Sequence, residues 1–148
     1  MASDGPVITC IEFTRFNIQL ENLSSDASGM GIAYRPGAGD PMERFAVRVH
    51  TDEGIVGNGE GGLWGHHGVV KAAIDELADY YVGKDPRIIE HHYQVVSRHS
   101  HFMGGVLSAA MSAVDIALWD ILGQSLGVPV YQLLGGKCRE KVKVFENI

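Results

Sequence analysis

The run from Ala110 to Gly135 constrains this chain more than any other stretch. Ala110, Val114, Ala117, Leu118 and Ile121 recur at helical spacing and make one apolar face. Ala110, Ala113 and Ala117 are small, which lets another element approach the helix closely. Gly127 stands where a left-handed cap is wanted, and Pro129 follows two residues later, so the helix is predicted to stop there. A short turn over Val130 to Leu134 then runs into Gly135 and Gly136. The chain upstream reads as material to pack against this helix.

That material begins with strands. Val7 to Leu20 reads as a long strand, with Ile8 and Cys10, then Phe16, Ile18 and Leu20, on one alternating face. Glu12, Thr14 and Arg15 blur the phase, which allows a bulge. Asn22 to Pro41 is a long polar loop, and loops of that length are usually functional or disordered. Arg44 to His50 alternates cleanly, Phe45, Val47 and Val49 against Ala46, Arg48 and His50. Thr51 to Gly54 is a hairpin turn with glycine at the position that tolerates positive φ. Ile55 to Asn58 returns as the third antiparallel strand, and Gly59 to Gly65 reads as a second glycine-rich loop.

Helices come next. Val70, Ile74, Leu77 and Tyr81 form the stripe of the first. Asp85-Pro86 is expected to cap and start the second, since proline suits the first helical position, and Ile89, Tyr93 and Val96 are expected to face its core. Gly104-Gly105 separates it from the organising helix. Lys141 to Ile148 alternates Val142, Val144 and Phe145 and reads as a final strand. Strands followed by helices make an α+β chain: a three-stranded antiparallel sheet with a helical bundle on one face.

The organising run also carries a resemblance. Ala110-x-Ser112-Ala113-Val114-Asp115-x-Ala117-Leu118-x-Asp120-Ile121-x-Gly123-Gln124, then Pro129-Val130 and Leu133-Leu134-Gly135, resembles the mandelate racemase and muconate lactonizing enzyme group of the enolase superfamily. Val47 to Gly54 and Gly57-x-Gly59-Glu60 extend it, and the segment Val47 to Glu60 with Gly104-Gly105 looks most like the galactonate-dehydratase-type branch. The resemblance implies an enolase-like N-terminal capping domain over residues 1–140. It makes residues 141–148 the first strand of a (β/α) barrel that the 148 residues do not include.

For function, the resemblance implies an acid-sugar dehydratase that removes an α-proton next to a carboxylate and then expels water. A racemase or cycloisomerase of the same family is the alternative within it, and a non-catalytic fragment or interaction module the alternative outside it. Superfamily sites use a Lys or His base with one or two Mg²⁺ ions, and the family carries these on later barrel strands. No catalytic and no metal-binding residue is therefore expected in this chain, which is expected to be inactive alone. Lys141-x-Lys143 has the spacing of a base pair but reads as solvated strand-edge charge. By position, the loops at Asn22–Pro41 and Gly59–His67 correspond to those that close over the barrel mouth. Their Tyr34, Arg35, Trp64, His66 and His67 are the candidates for gripping an acid sugar, with Arg offering a fork for the carboxylate.

Composition bounds the rest. A net charge of −6 with mixed signs argues against a nucleic-acid backbone as partner. No basic-then-apolar leader is visible, and no apolar run is expected to reach membrane length. The expectation is a soluble cytoplasmic protein that forms a homo-oligomer or self-associates. Cys10 and Cys138 fit no zinc or redox spacing and read as free buried thiols. Of the seven histidines, His92 and His99 share a helix face, which reads as solvated rather than metal-binding. Asp115 and Asp120, five apart, point to different sides of their helix. Each is expected to be tied into the packing, Asp120 through backbone or Arg partners, and Trp119 is expected to be a packing anchor.

Overall fold

A computed structural model describes residues 5–17, 43–63, 65–99 and 103–143. Strands β1 (Ile8–Asn17), β2 (Glu43–Thr51) and β3 (Val56–Gly61) form an antiparallel sheet in the order β1-β2-β3. Helices α1 (His67–Tyr81), α2 (Ile89–His99), α3 (Gly105–Leu126) and α4 (Val130–Leu133) follow. This is the α+β order expected. Phe45, Val47 and Val49 of β2 are fully buried, and they share one core with Val70 and Ile74 of α1 and with Val114, Leu118 and Ile121 of α3.

The β2–β3 hairpin closes as its residues dictate. Thr51 N donates to Ile55 O at 3.0 Å and Gly54 N to Thr51 O at 3.2 Å. Gly54 takes a φ of 81° that a side chain would resist.

β1 departs from its expected phase. Its register against β2 shifts between Ile8 and Cys10. Beyond that irregularity the inward residues are Ile11 and Phe13, which pack on the core, whereas Cys10 and Phe16 are exposed. One extra residue in a strand exchanges its faces, so the alternation read from Ile8 through Cys10 to Phe16 does not hold. The expected continuation through Ile18 and Leu20 lies outside the described residues.

β3 runs further than expected, to Gly61, and this sets the close contact in the fold. Gly57, Gly59 and Gly61 alternate on the face turned to α3. A methyl group on Gly59 would sit 1.9 Å from Ala113 O, and one on Gly57 2.1 Å from Ala117 O. The strand backbone thus lies directly on the helix backbone, with Ala113 and Ala117 fully buried beneath it. The small residues of α3 serve the close approach foreseen for them. The glycines opposite are strand residues, not loop markers.

α3 ends as predicted. Gly127 is left-handed at φ 67°, its N–H bonds Gln124 O, and Val128 N bonds Gly123 O, which together make a Schellman closure. By length and composition this helix is apolar enough to cross a membrane, contrary to the expectation that no run reaches that length. Its buried stripe from Ala110 to Ile121 packs on the sheet, which is the role of a core helix.

Two further expectations are corrected, for α2 and for the cysteines. α2 starts at Ile89 rather than at Pro86, because Asp85 accepts from Arg87 N at 2.9 Å and holds Asp85–Arg87 as a turn. Its buried residues are Ile89, His92 and Val96, while Tyr93 is exposed. Cys10 and Cys138 are free, but both are exposed rather than buried. Residues 141–143 have no regular secondary structure, and the rest of the expected last strand lies outside the described residues.

Candidate functional site

Of the five loop residues expected to meet a substrate, Tyr34, Arg35 and Trp64 lie outside the described residues. His66 and His67 are described, and the fold separates them. The loop leaves β3 at Gly61 and makes a tight turn: His66 N donates to Leu63 O at 2.9 Å, and Gly65 is left-handed at φ 73°. His66 is exposed at the head of α1, where its carbonyl accepts from Val69 N at 3.0 Å and Val70 N at 3.1 Å. His67, one residue on, is only 3% exposed. Its ring meets Phe45 edge-on at 5.6 Å, and Phe45 stacks on Phe13 at 4.9 Å. An aromatic stack running from β1 through β2 therefore fixes the end of the loop. The loop carries His66 outward while His67 fastens it to the core.

The signature acid Asp120 works at the sheet edge. Its Oδ2 accepts from Asn58 N at 2.8 Å, from Asn58 Nδ2 at 3.2 Å and from Gln124 Nε2 at 3.1 Å. Gln124 also donates to Val56 O at 2.8 Å. Asp120 and Gln124, four apart on α3, thus satisfy the outward N–H and C=O of β3 as a fourth strand would. Backbone partners for Asp120 were expected; the doubling by the Asn58 side chain has no signal in the sequence.

His92 is not a solvated residue. It is 1% exposed, its Nδ1 lies 3.0 Å from Tyr80 Oη, and its Nε2 lies 2.8 Å from Asp85 O. A carbonyl only accepts, so Nε2 carries the proton and Nδ1 accepts from the tyrosine. Burial is the main cause that holds His92 below the usual histidine range, with His91 and Lys84 adding to it and Asp85 opposing. The spacing Ile89, His92, Val96 (i, i+3, i+7) was the available signal, and the larger Tyr93 obscured it.

The family resemblance implies magnesium. Mg²⁺ wants about six oxygen ligands in a near-octahedral array. Among the described residues no group of three or more His, Cys, Asp or Glu side chains converges. Both nitrogens of His92 are occupied, and Oδ2 of Asp120 faces N–H donors. These residues do not fit a magnesium centre.

The family described as mandelate racemase / muconate lactonizing enzyme, N-terminal domain, matches residues 42–135. A D-galactonate dehydratase from Pectobacterium atrosepticum is 49% identical over 106 residues, covering 71% of this chain and 28% of that protein. The chain thus spans little more than a quarter of the length of the curated relatives it matches. Among solved structures, an enolase from Pantoea ananatis with bound D-gluconate and Mg superposes at a TM-score of 0.72 with 33% identity, over 91% of this chain and 28% of that one. An isomerase from Streptomyces coelicolor A3(2) superposes at 0.70 with 30% identity, over 91% and 32%.

Proposed function

This chain belongs to the mandelate racemase / muconate lactonizing enzyme family, as its N-terminal domain, and we propose that it caps the active site of a magnesium-dependent acid-sugar dehydratase. The observation that carries this reading is the 49% identity to a D-galactonate dehydratase across 71% of the chain. The solved relative with D-gluconate and Mg supports the substrate class.

In this reading the chain's work is substrate selection. The loop at 62–66 leans over the mouth of the partnering barrel, His66 faces the substrate, and His67 holds the loop in place. Tyr34, Arg35 and Trp64 complete the cap, Arg35 as the partner for the substrate carboxylate. Magnesium supplies positive charge beside that carboxylate, which makes the α-proton removable. Its ligands and the base belong to the barrel, and the chain's described residues carry no proton transfer. The exposed Leu126, Tyr131 and Leu134 around the end of α3 and α4 offer apolar surface for that contact, or for self-association of this chain alone.

The test is an assay of the purified 148-residue chain with D-galactonate and Mg²⁺. No dehydration is expected. Turnover abolished by a chelator would place the chemistry on this chain and overturn the reading.

A further inference from the structure

α3 has a second face that the core does not use. Ser108, Ser112 and Asp115 recur at four and three residues and share one stripe. With Tyr81 of α1 and Tyr93 of α2 they line a cleft of about 280 Å³, together with Met103 and Met111. Among the described residues, the cleft's polar groups are hydroxyls and one carboxylate.

Asp115 is half-buried there, and no Lys, Arg or His among the described residues forms an ion pair with it. Loss of water is the main cause that holds its carboxyl above the usual range; Glu90 adds to the rise and the Trp119 indole opposes it. Tyr81 is only 2% exposed, lines the same cleft, and its hydroxyl has no hydrogen-bond partner among the described residues. Burial pushes that phenol up, helped by Tyr80 and by Asp115 itself. A half-buried carboxylate beside phenols, with no cation supplied by the described residues, leaves a negative cleft whose open oxygens can accept from a donor that enters it.

We propose that this cleft binds a primary ammonium group carried on a short alkyl chain. The stripe presents its oxygens at neighbouring positions along one helix face, which suits a compact head with three donors better than the flat fork of a guanidinium. Asp115 takes the charge and the serine and Tyr81 hydroxyls take the remaining protons. The alkyl part lies on the thioethers of Met103 and Met111, and the ring of Tyr93 adds a cation–π face at the mouth. The site is independent of the substrate-capping reading, since it shares no residue with the loop at 62–66.

The test is a titration of the full chain with n-butylammonium chloride at constant ionic strength, followed by ¹H–¹⁵N amide shifts, with n-butanol as the neutral match. Shifts centred on Ser112 and Asp115 are expected, with affinity at least about tenfold above that for butanol. Asp115→Asn keeps the shape and should remove that preference. Equal affinity for the amine and the alcohol, or no shift with either, overturns the proposal without any variant. A folded D115N chain that keeps the preference also overturns it. Nα-acetyl-lysine methylamide distinguishes the sources of the ammonium. Tighter binding than butylammonium supports the proposal with a lysine side chain as ligand, and weaker binding supports it with a free amine.

Discussion

Asp120 of α3 holds Asn58 of β3 twice through one oxygen, at 2.8 Å from the backbone N–H and 3.2 Å from the side-chain amide. The pair fastens the organising helix to the sheet edge and occupies an amide that another chain would otherwise find. Asp120→Ala should destabilise the chain by about 1–2 kcal/mol in urea unfolding, the lower part of the range for charged hydrogen bonds because the site is partly exposed. Asp120→Asn, which keeps one acceptor, should cost less. A change within a few tenths for the alanine variant would mean water replaces the carboxylate freely.

The contact of β3 with α3 makes a sharper prediction. Gly59→Ala places a methyl 1.9 Å from Ala113 O, and the nearest atoms are helix backbone, which cannot swing aside. A loss of about 3 kcal/mol is expected, at the upper end for overpacking. Gly62→Ala, whose methyl meets nothing within 4 Å, should change stability by less than about 0.5 kcal/mol. Similar midpoints for the two variants in chemical unfolding would contradict the close approach.

Much of this fold was legible, and the misreadings have physical causes. α3, its cap at Gly127 and the alternation of β2 announce themselves, because one residue choice in each admits one conformation or one face. The glycines of β3 misled because glycine ordinarily marks turns. Here it marks the absence of a side chain where two backbones touch, and the period of two in Gly57, Gly59 and Gly61 was the clue. The phase of β1 was lost because its irregularity falls between Ile8 and Cys10, ahead of the Glu12, Thr14 and Arg15 that suggested a bulge. His92 was assigned to solvent because its partners, Tyr80 and the carbonyl of Asp85, come from outside its own helix. The sequence placed a loop at Gly59–His67, of which Gly59–Gly61 belong to β3, but not the division between an exposed His66 and a buried His67. That division rests on Phe45, a strand away.

His92 should make the chain acid-sensitive. Its folded pKa lies below the ordinary 6.5, so between that value and 6.5 the unfolded chain binds the proton more readily than the folded one. Stability from this group is complete above about pH 6.5 and falls as pH drops through that window, then levels off below the folded value. The turn it holds matters, since Ile8 N donates to Lys84 O and Gly83 N to Ile8 O, both at 2.9 Å. Urea midpoints measured from pH 7.5 to 5 should fall for the natural chain and fall less for His92→Gln. An identical slope for both would remove His92 as the cause.

Both cysteines are exposed, so a thiol reagent should modify Cys10 and Cys138 in the native chain without denaturant. Modification of both should leave unfolding stability nearly unchanged, because neither thiol sits in the core. Protection of either until the chain unfolds would show a cover over that face in solution.

The central claim is that this chain caps an acid-sugar site whose chemistry lies elsewhere. The direct measurement is a graft: residues 42–135 exchanged for the matching segment of the D-galactonate dehydratase from Pectobacterium atrosepticum, assayed with D-galactonate and Mg²⁺. The account predicts dehydration within about tenfold of the parent, a cost near 1.4 kcal/mol at most. It also predicts that His67→Ala in the graft raises KM more than it lowers kcat, since a loosened loop weakens substrate capture. A folded graft with an intact barrel that no longer dehydrates D-galactonate would contradict the claim.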